Sequence, residues 1–168
     1  MNIGLLIMRL VIGLTLAAHG TQKLFGWFGG HGIAGTGGFL EQLGFRPGKL
    51  HALMAGLVET GGGVLLAAGL LAPLGSAAMI AVMIIAGGAV HLKNGFFLQK
   101  NGYEYTFVLA GVSAALAFTG PGAYSFDAAL GLAWSGWTWG LFALVLGIVG
   151  GVANLAMRST APVASPSS

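Results

Sequence analysis

The chain has 168 residues, of which 56% are hydrophobic and only 7% charged, with a mean hydropathy of +0.87. Soluble domains carry roughly 25% charged residues, so seven basic and four acidic side chains cannot clothe a water-facing surface of this size. The absence of cysteine excludes disulfides, thiolate metal sites and thiol chemistry by this chain, and a net charge of +3 on so few groups informs topology, not nucleic-acid binding.

The first predicted helix runs from Ile3 to about Phe25 and holds Arg9, His19 and Lys23 within an apolar run. A secretory signal is the competing reading, but no basic residue precedes that run. Between this helix and the next, Gly30-His31-Gly32-Ile33-Ala34-Gly35 matches the spacing of a dinucleotide fingerprint. No strand precedes it, and without a βαβ unit the spacing has no meaning; the segment reads as a flexible or re-entrant loop. The uncharged stretch from Thr60 to Val90 is too long for one span of ~20 residues. Leu71-Ala72-Pro73-Leu74-Gly75 breaks it into a hairpin, with helix two from about His51 to Leu71 and helix three from about Leu74 to His91. Helix four spans about Glu104 to Thr119 and stops at Gly120-Pro121-Gly122, and a fifth helix fits Trp134 to Met157. Trp134, Trp137 and Trp139 at its start read as an interfacial belt. The fold class is therefore an all-α membrane protein: a four-helix bundle over residues 1–130, an added helix over 131–158, and a disordered tail over 159–168.

Five crossings place Arg46, Lys49, Lys93, Lys100 and Arg158 on one side of the bilayer, and only Asp127 in the loops of the other. The positive-inside rule then sets the N-terminus outside and the C-terminus in the cytoplasm, as expected of a multi-pass protein of the bacterial inner membrane. Small residues recur at four-residue spacing: Gly13 with Ala17, Gly56 with Thr60, Gly63 with Ala67, Gly147 with Gly151. They read chiefly as close packing within one chain. Gly147 and Gly151 are the best candidates for a homo-oligomer seam, since helix five is the least polar crossing.

An ionisable group inside a span costs ~2.5–3.5 kcal/mol and needs a partner or a purpose. The topology puts His19, Lys23, Glu59, His91 and Glu104, from four helices, in the cytoplasmic half of the bundle, with Arg9 about 15 Å beyond His19. A cluster gathered from four helices reads as a site. The structural alternatives are an Arg9–Glu59 pair that fixes helix register and lysines (Lys23, Lys93, Lys100) that only reach for the interface. His31 and His51 carry little functional weight, and Glu41 and Asp127 sit in loops with no assigned role.

These residues resemble the DoxX family of small bacterial membrane proteins. The matching pieces are Leu5-Leu6-Ile7-Met8-Arg9-Leu10, His19-Gly20-Thr21-Gln22-Lys23-Leu24-Phe25-Gly26, Glu59-Thr60-Gly61-Gly62, His91 before Gly95-Phe96-Phe97, Asn101-Gly102-Tyr103-Glu104-Tyr105, and Gly120-Pro121-Gly122-Ala123-Tyr124-Ser125-Phe126-Asp127. The resemblance implies a redox subunit linked to quinone chemistry, detoxification or oxidative stress, working in the bilayer with soluble or membrane redox partners. Glu59, His19 and Glu104 would move protons, and His19, Lys23, His91, Arg9 and Tyr103 would hold a quinone, with Arg9 keeping Glu59 ionised. Relatives that use paired cysteines have no counterpart here, so whether the chain is itself an enzyme stays open. Haem on His19 and His91 is the weaker cofactor reading. A carrier or channel for a small molecule and a non-catalytic scaffold for redox enzymes are the competing functions.

Overall fold

The structure, a computed structural model, describes residues 1–159. Those residues form helices and connecting turns with no strand among them. The helices are α1 (Asn2–Phe25), α2 (Gly32–Gln42), α3 (Gly48–Ala68), α4 (Ala72–Ala86), α5 (Glu104–Thr119), the single turn α6 (Phe126–Ala129) and α7 (Trp137–Ala156). A π-turn over Gly87–His91 and a 3-10 turn over Leu92–Asn94 prolong α4, giving a continuous 23-residue rod. That rod, α1, α3 and α7 are each long and apolar enough to cross a membrane. At 16 residues, α5 is shorter, roughly 24 Å.

The expected crossings fall where the apolar periodicity places them, with small shifts at the ends. The α3–α4 break lies at Gly69-Leu70-Leu71, just before the expected one. Gly69 ends α3 in the left-handed region (φ 63), and Pro73 occupies the first turn of α4, where a missing N–H costs nothing. The glycine-rich stretch after α1 departs from expectation, because it is helical over Gly32–Gln42. Its glycines disfavour helix in isolation, but packing on α3 decides the outcome. A side chain at Gly37 would run into the backbone of Lys49, and Glu41 Oε1 accepts from Gly48 N–H at 2.9 Å, capping the first turn of α3.

The bundle is held by glycine seams. α1 and α3 run antiparallel, so that a Cβ at Gly63 would meet Gly13 O and Ala17, and one at Gly13 would meet Gly63 O and Ala67. Backbones this close gain dispersion contacts where lipid removes the hydrophobic drive between helices. Around this seam Leu5, Ile12, Leu16, Leu66, Met79, Met83 and Leu116 form the main core. Gly147 and Gly151, the best candidates for a homo-oligomer seam, pack against α4 inside the chain. A Cβ at Gly147 would sit 2.7 Å from Ile80 side-chain atoms, and one at Gly151 would sit 2.8 Å from Ile84. Gly63→Val is expected to destabilise the bundle by roughly 1–3 kcal/mol through overpacking, measured as a lower unfolding midpoint in detergent. An unchanged midpoint would mean that the seam is loose.

Both ends of the bundle are tied off. At one end Arg158 Nε donates to Leu43 O at 2.8 Å, its guanidinium lies 5.5 Å from the centre of the Phe45 ring, and Ser159 N–H donates to Gly44 O. The end of α7 therefore meets the α2–α3 connection, as five crossings require. Apart from Ser159, the expected tail lies outside the described residues. At the other end Asn2 Oδ1 accepts from Ala123 N–H, and Gly136 N–H donates to Phe118 O. The tryptophans gather there: Trp134 stacks on Trp139 at 5.2 Å, and Trp137 tilts against Phe118.

Candidate functional site

Glu59 lies midway along α3 and is 4% exposed. The antiparallel register of α1 and α3 brings the last turn of α1 alongside it, and Lys23 Nζ donates to Glu59 Oε2 at 2.5 Å. A lysine so placed does not reach for the interface, contrary to the structural alternative; it folds inward to neutralise a buried carboxylate. The expected Arg9–Glu59 pair is absent, because Arg9 lies two to four turns away along α1, at the opposite end of the bundle.

His19 stands one turn before Lys23 and within electrostatic range of Glu59. Its Nδ1 lies 3.0 Å from Gln22 Oε1, an acceptor-only oxygen, so the ring donates. Gln22 in turn donates through Nε2 to Phe28 O at 3.1 Å, holding the connection to α2 in place. Beside this chain of contacts lies a cavity of about 300 Å³, lined by Gln22, Lys23, Gly29, Gly30, His31, Gly35, Thr36 and Phe39. Its walls are the last turn of α1 and the first turns of α2. His31, passed over in sequence, contributes to it, while His51 does not and packs on Phe45 at 5.5 Å.

His91 and Glu104 do not join this group. His91 Nδ1 donates to Asn101 O at 2.9 Å, and Asn94 Nδ2 donates to the same carbonyl. Glu104 Oε2 accepts from Leu98 N–H at 2.9 Å, and Tyr103 packs edge-on against Phe96. These contacts fold the α4–α5 connection into a unit of its own. The five-residue cluster expected from the topology thus divides: His19, Lys23 and Glu59 lie together, while His91 and Glu104 serve the α4–α5 connection. Depth along the membrane is legible in sequence; which helices are neighbours is not, and α1 packs chiefly on α3 while α4 packs chiefly on α7. Neither His19 nor His91 lines the cavity beside Lys23. Among the described residues no three His, Asp or Glu side chains group as metal ligands.

A second polar cluster closes the opposite end. Arg9 is 1% exposed and donates through Nη2 to Tyr124 O, leaving Nε and Nη1 without hydrogen-bond partners. Asp127 is fully buried; its carboxylate oxygens accept from Leu71 N–H (2.8 Å) and Ala72 N–H (2.9 Å), and its own N–H donates to Gly69 O. Its charge acts on Arg9. Asp127 therefore caps α4 across 55 residues of sequence and supplies the countercharge for a buried arginine. Arg9 belongs to this latch and not to a ligand site with Lys23. The sequence offers a faint signal for it, an Asp two residues after a Ser that caps its own helical turn.

Four helices long and apolar enough to cross a membrane, a fifth shorter apolar helix and buried glycine seams define the class, a polytopic membrane protein. The family model described as DoxX matches residues 4–92, over half of the sequence, and the chain belongs to the DoxX family. The match covers α1 to the end of α4, including Arg9, His19, Lys23, Glu59 and His91; the pieces quoted after His91 lie beyond it. No curated protein and no solved structure matches the chain.

Proposed function

We propose that the protein is a membrane redox subunit that holds a quinone-like ring in the cavity between α1 and α2. The observation that carries this reading is the Lys23–Glu59 ion pair, with its carboxylate buried and its lysine half-buried at a cavity lined by further polar groups. Intramembrane ion pairs are costly and mark ligand or proton sites. The cavity volume is at the lower end for small-molecule sites, sufficient for one ring. Its lining suits a planar dicarbonyl: Lys23 and Gln22 offer N–H donors from one wall, His31 and Thr36 from the other, and Phe39 a flat apolar surface.

A bound quinone would supply the two-electron chemistry that no side chain here can. The chain's own part is to bind, orient and handle protons. Lys23 Nζ keeps two donors free of Glu59, and they can bond a ring oxygen and stabilise negative charge on it. Glu59 Oε2 holds the third, so a proton shared across this pair can be passed on and replaced. His19, bonded to Gln22, steadies the cavity wall and is the residue by which protons reach the pair. With no cysteine in the chain, electrons come from a redox partner. The basic end of the bundle, with Arg46, Lys49, Lys93 and Lys100 exposed, faces the cytoplasm of the bacterial inner membrane in this reading.

Glu59→Gln tests it. The variant should fold, and binding of a short-chain benzoquinone to purified protein, followed by quenching of tryptophan fluorescence, should weaken about tenfold or more. Unchanged binding in a folded variant would refute the assignment.

A further inference from the structure

The cavity beside Lys23 lies next to a polar pair on the outward face of α1. His19 is exposed, and its hydrogen bond is to Gln22, a cavity-lining residue. On a helix with 3.6 residues per turn, Val11, Ala18 and Gln22 fall within about 40° of one another, and His19 stands about 60° to one side of Gln22. Val11 is 60% exposed and Leu14, one turn on, is 57% exposed. In a membrane-spanning bundle that face meets hydrocarbon. An imidazole and a carboxamide at its edge have no water for their remaining polar atoms and are costly there. Below them the exposed rings of Phe25, Trp27 and Phe28, with Phe39 at the cavity, mark the depth at which aromatic side chains meet the headgroups. The stripe thus passes from bare hydrocarbon, to a polar pair, to the cavity, where the α1–α2 connection and α2 form the far wall.

We infer that the cavity is loaded sideways from the bilayer, by an amphiphile whose polar ring passes His19 and Gln22 while its apolar tail stays in lipid along Val11 and Leu14. This rests on the proposed ring site and narrows its ligand class from soluble rings to tailed, lipid-borne ones. His19 and Gln22 then act as a landing pair that offers the ring hydrogen bonds before it reaches Lys23. The tail needs no pocket, which agrees with a cavity large enough only for the head.

Two photoreactive benzoquinones with a long alkyl tail test this on the full chain in lipid vesicles, one carrying its diazirine on the ring and the other along the tail. The ring probe should label the Gly30–Phe39 segment and the tail probe the Val11–Ala18 segment, both signals being lost when excess unlabelled tailed benzoquinone competes. Competed ring labelling with tail labelling on Arg46–His51, or with none that competes on α1, would overturn sideways entry and leave the ring site standing. Absence of any competed labelling by the ring probe would overturn the ring site itself, and this inference with it.

Discussion

Asp127→Ala is expected to lower the stability of the folded bundle by ~3–5 kcal/mol, the largest effect of any single replacement outside the ring site. The substitution strips the acceptor from two N–H groups at the start of α4, at Leu71 and Ala72, in a place where Asp127 itself is fully buried. Each orphaned donor costs about 1–3 kcal/mol. It also leaves Arg9, 1% exposed and already short of partners at Nε and Nη1, without its countercharge. Asp127→Asn should recover part of the loss, because the amide oxygen still accepts one bond while the charge is gone. Thermal unfolding in detergent, followed by loss of helical circular dichroism, gives the ordering wild type, Asn, Ala. An alanine variant within about 1 kcal/mol of wild type would show that the latch contributes little.

The second large effect separates stability from function at the ion pair. Lys23→Met leaves the Glu59 carboxylate, 4% exposed, without its partner, which should cost ~3–5 kcal/mol. Replacing both residues, Lys23→Met with Glu59→Met, removes the stranded charge and should return most of that stability, since hydrophobic substitutes for a buried pair are often neutral or better. The double variant should nevertheless fail to bind a benzoquinone, because the donors facing the cavity are gone. Additive losses would argue that the two side chains are not coupled. Full binding by a stable double variant would move the ring site elsewhere in the bundle. A pair kept at a stability cost is what a site requires and a purely structural contact does not.

How much of this can be read from sequence depends on the range of the interaction concerned. Apolar runs are local properties, so the spans, a break close to Leu71 and the stop at Gly120–Pro121–Gly122 follow from composition and from glycine and proline chemistry, while the exact end of α3 at Gly69 does not. α2 escapes this reading because its glycines argue for loop, and only the fit of Gly37 against Lys49 reverses that preference. Lys23 and Glu59 are legible separately as charges that need a reason, and their depth follows from counting turns. Their pairing requires the offset between α1 and α3, which the Gly13–Gly63 and Gly20–Thr60 contacts set. The same offset carries Arg9 out of reach of Glu59.

By itself the sequence determines the solvent, the number of apolar helices, the family pattern of His19, Lys23 and Glu59, and the impossibility of thiol chemistry. Hydrophobicity and residue identity need no neighbours to act. The tertiary structure alone decides that Lys23 answers Glu59, that Asp127 answers Arg9, that His91 and Glu104 stand apart, and that Gly147 and Gly151 face inward. Each of those depends on which helix faces which, and at what offset. In a bundle rich in glycine, that is fixed by backbones packing within van der Waals reach over many residues at once, a sum that no single motif records.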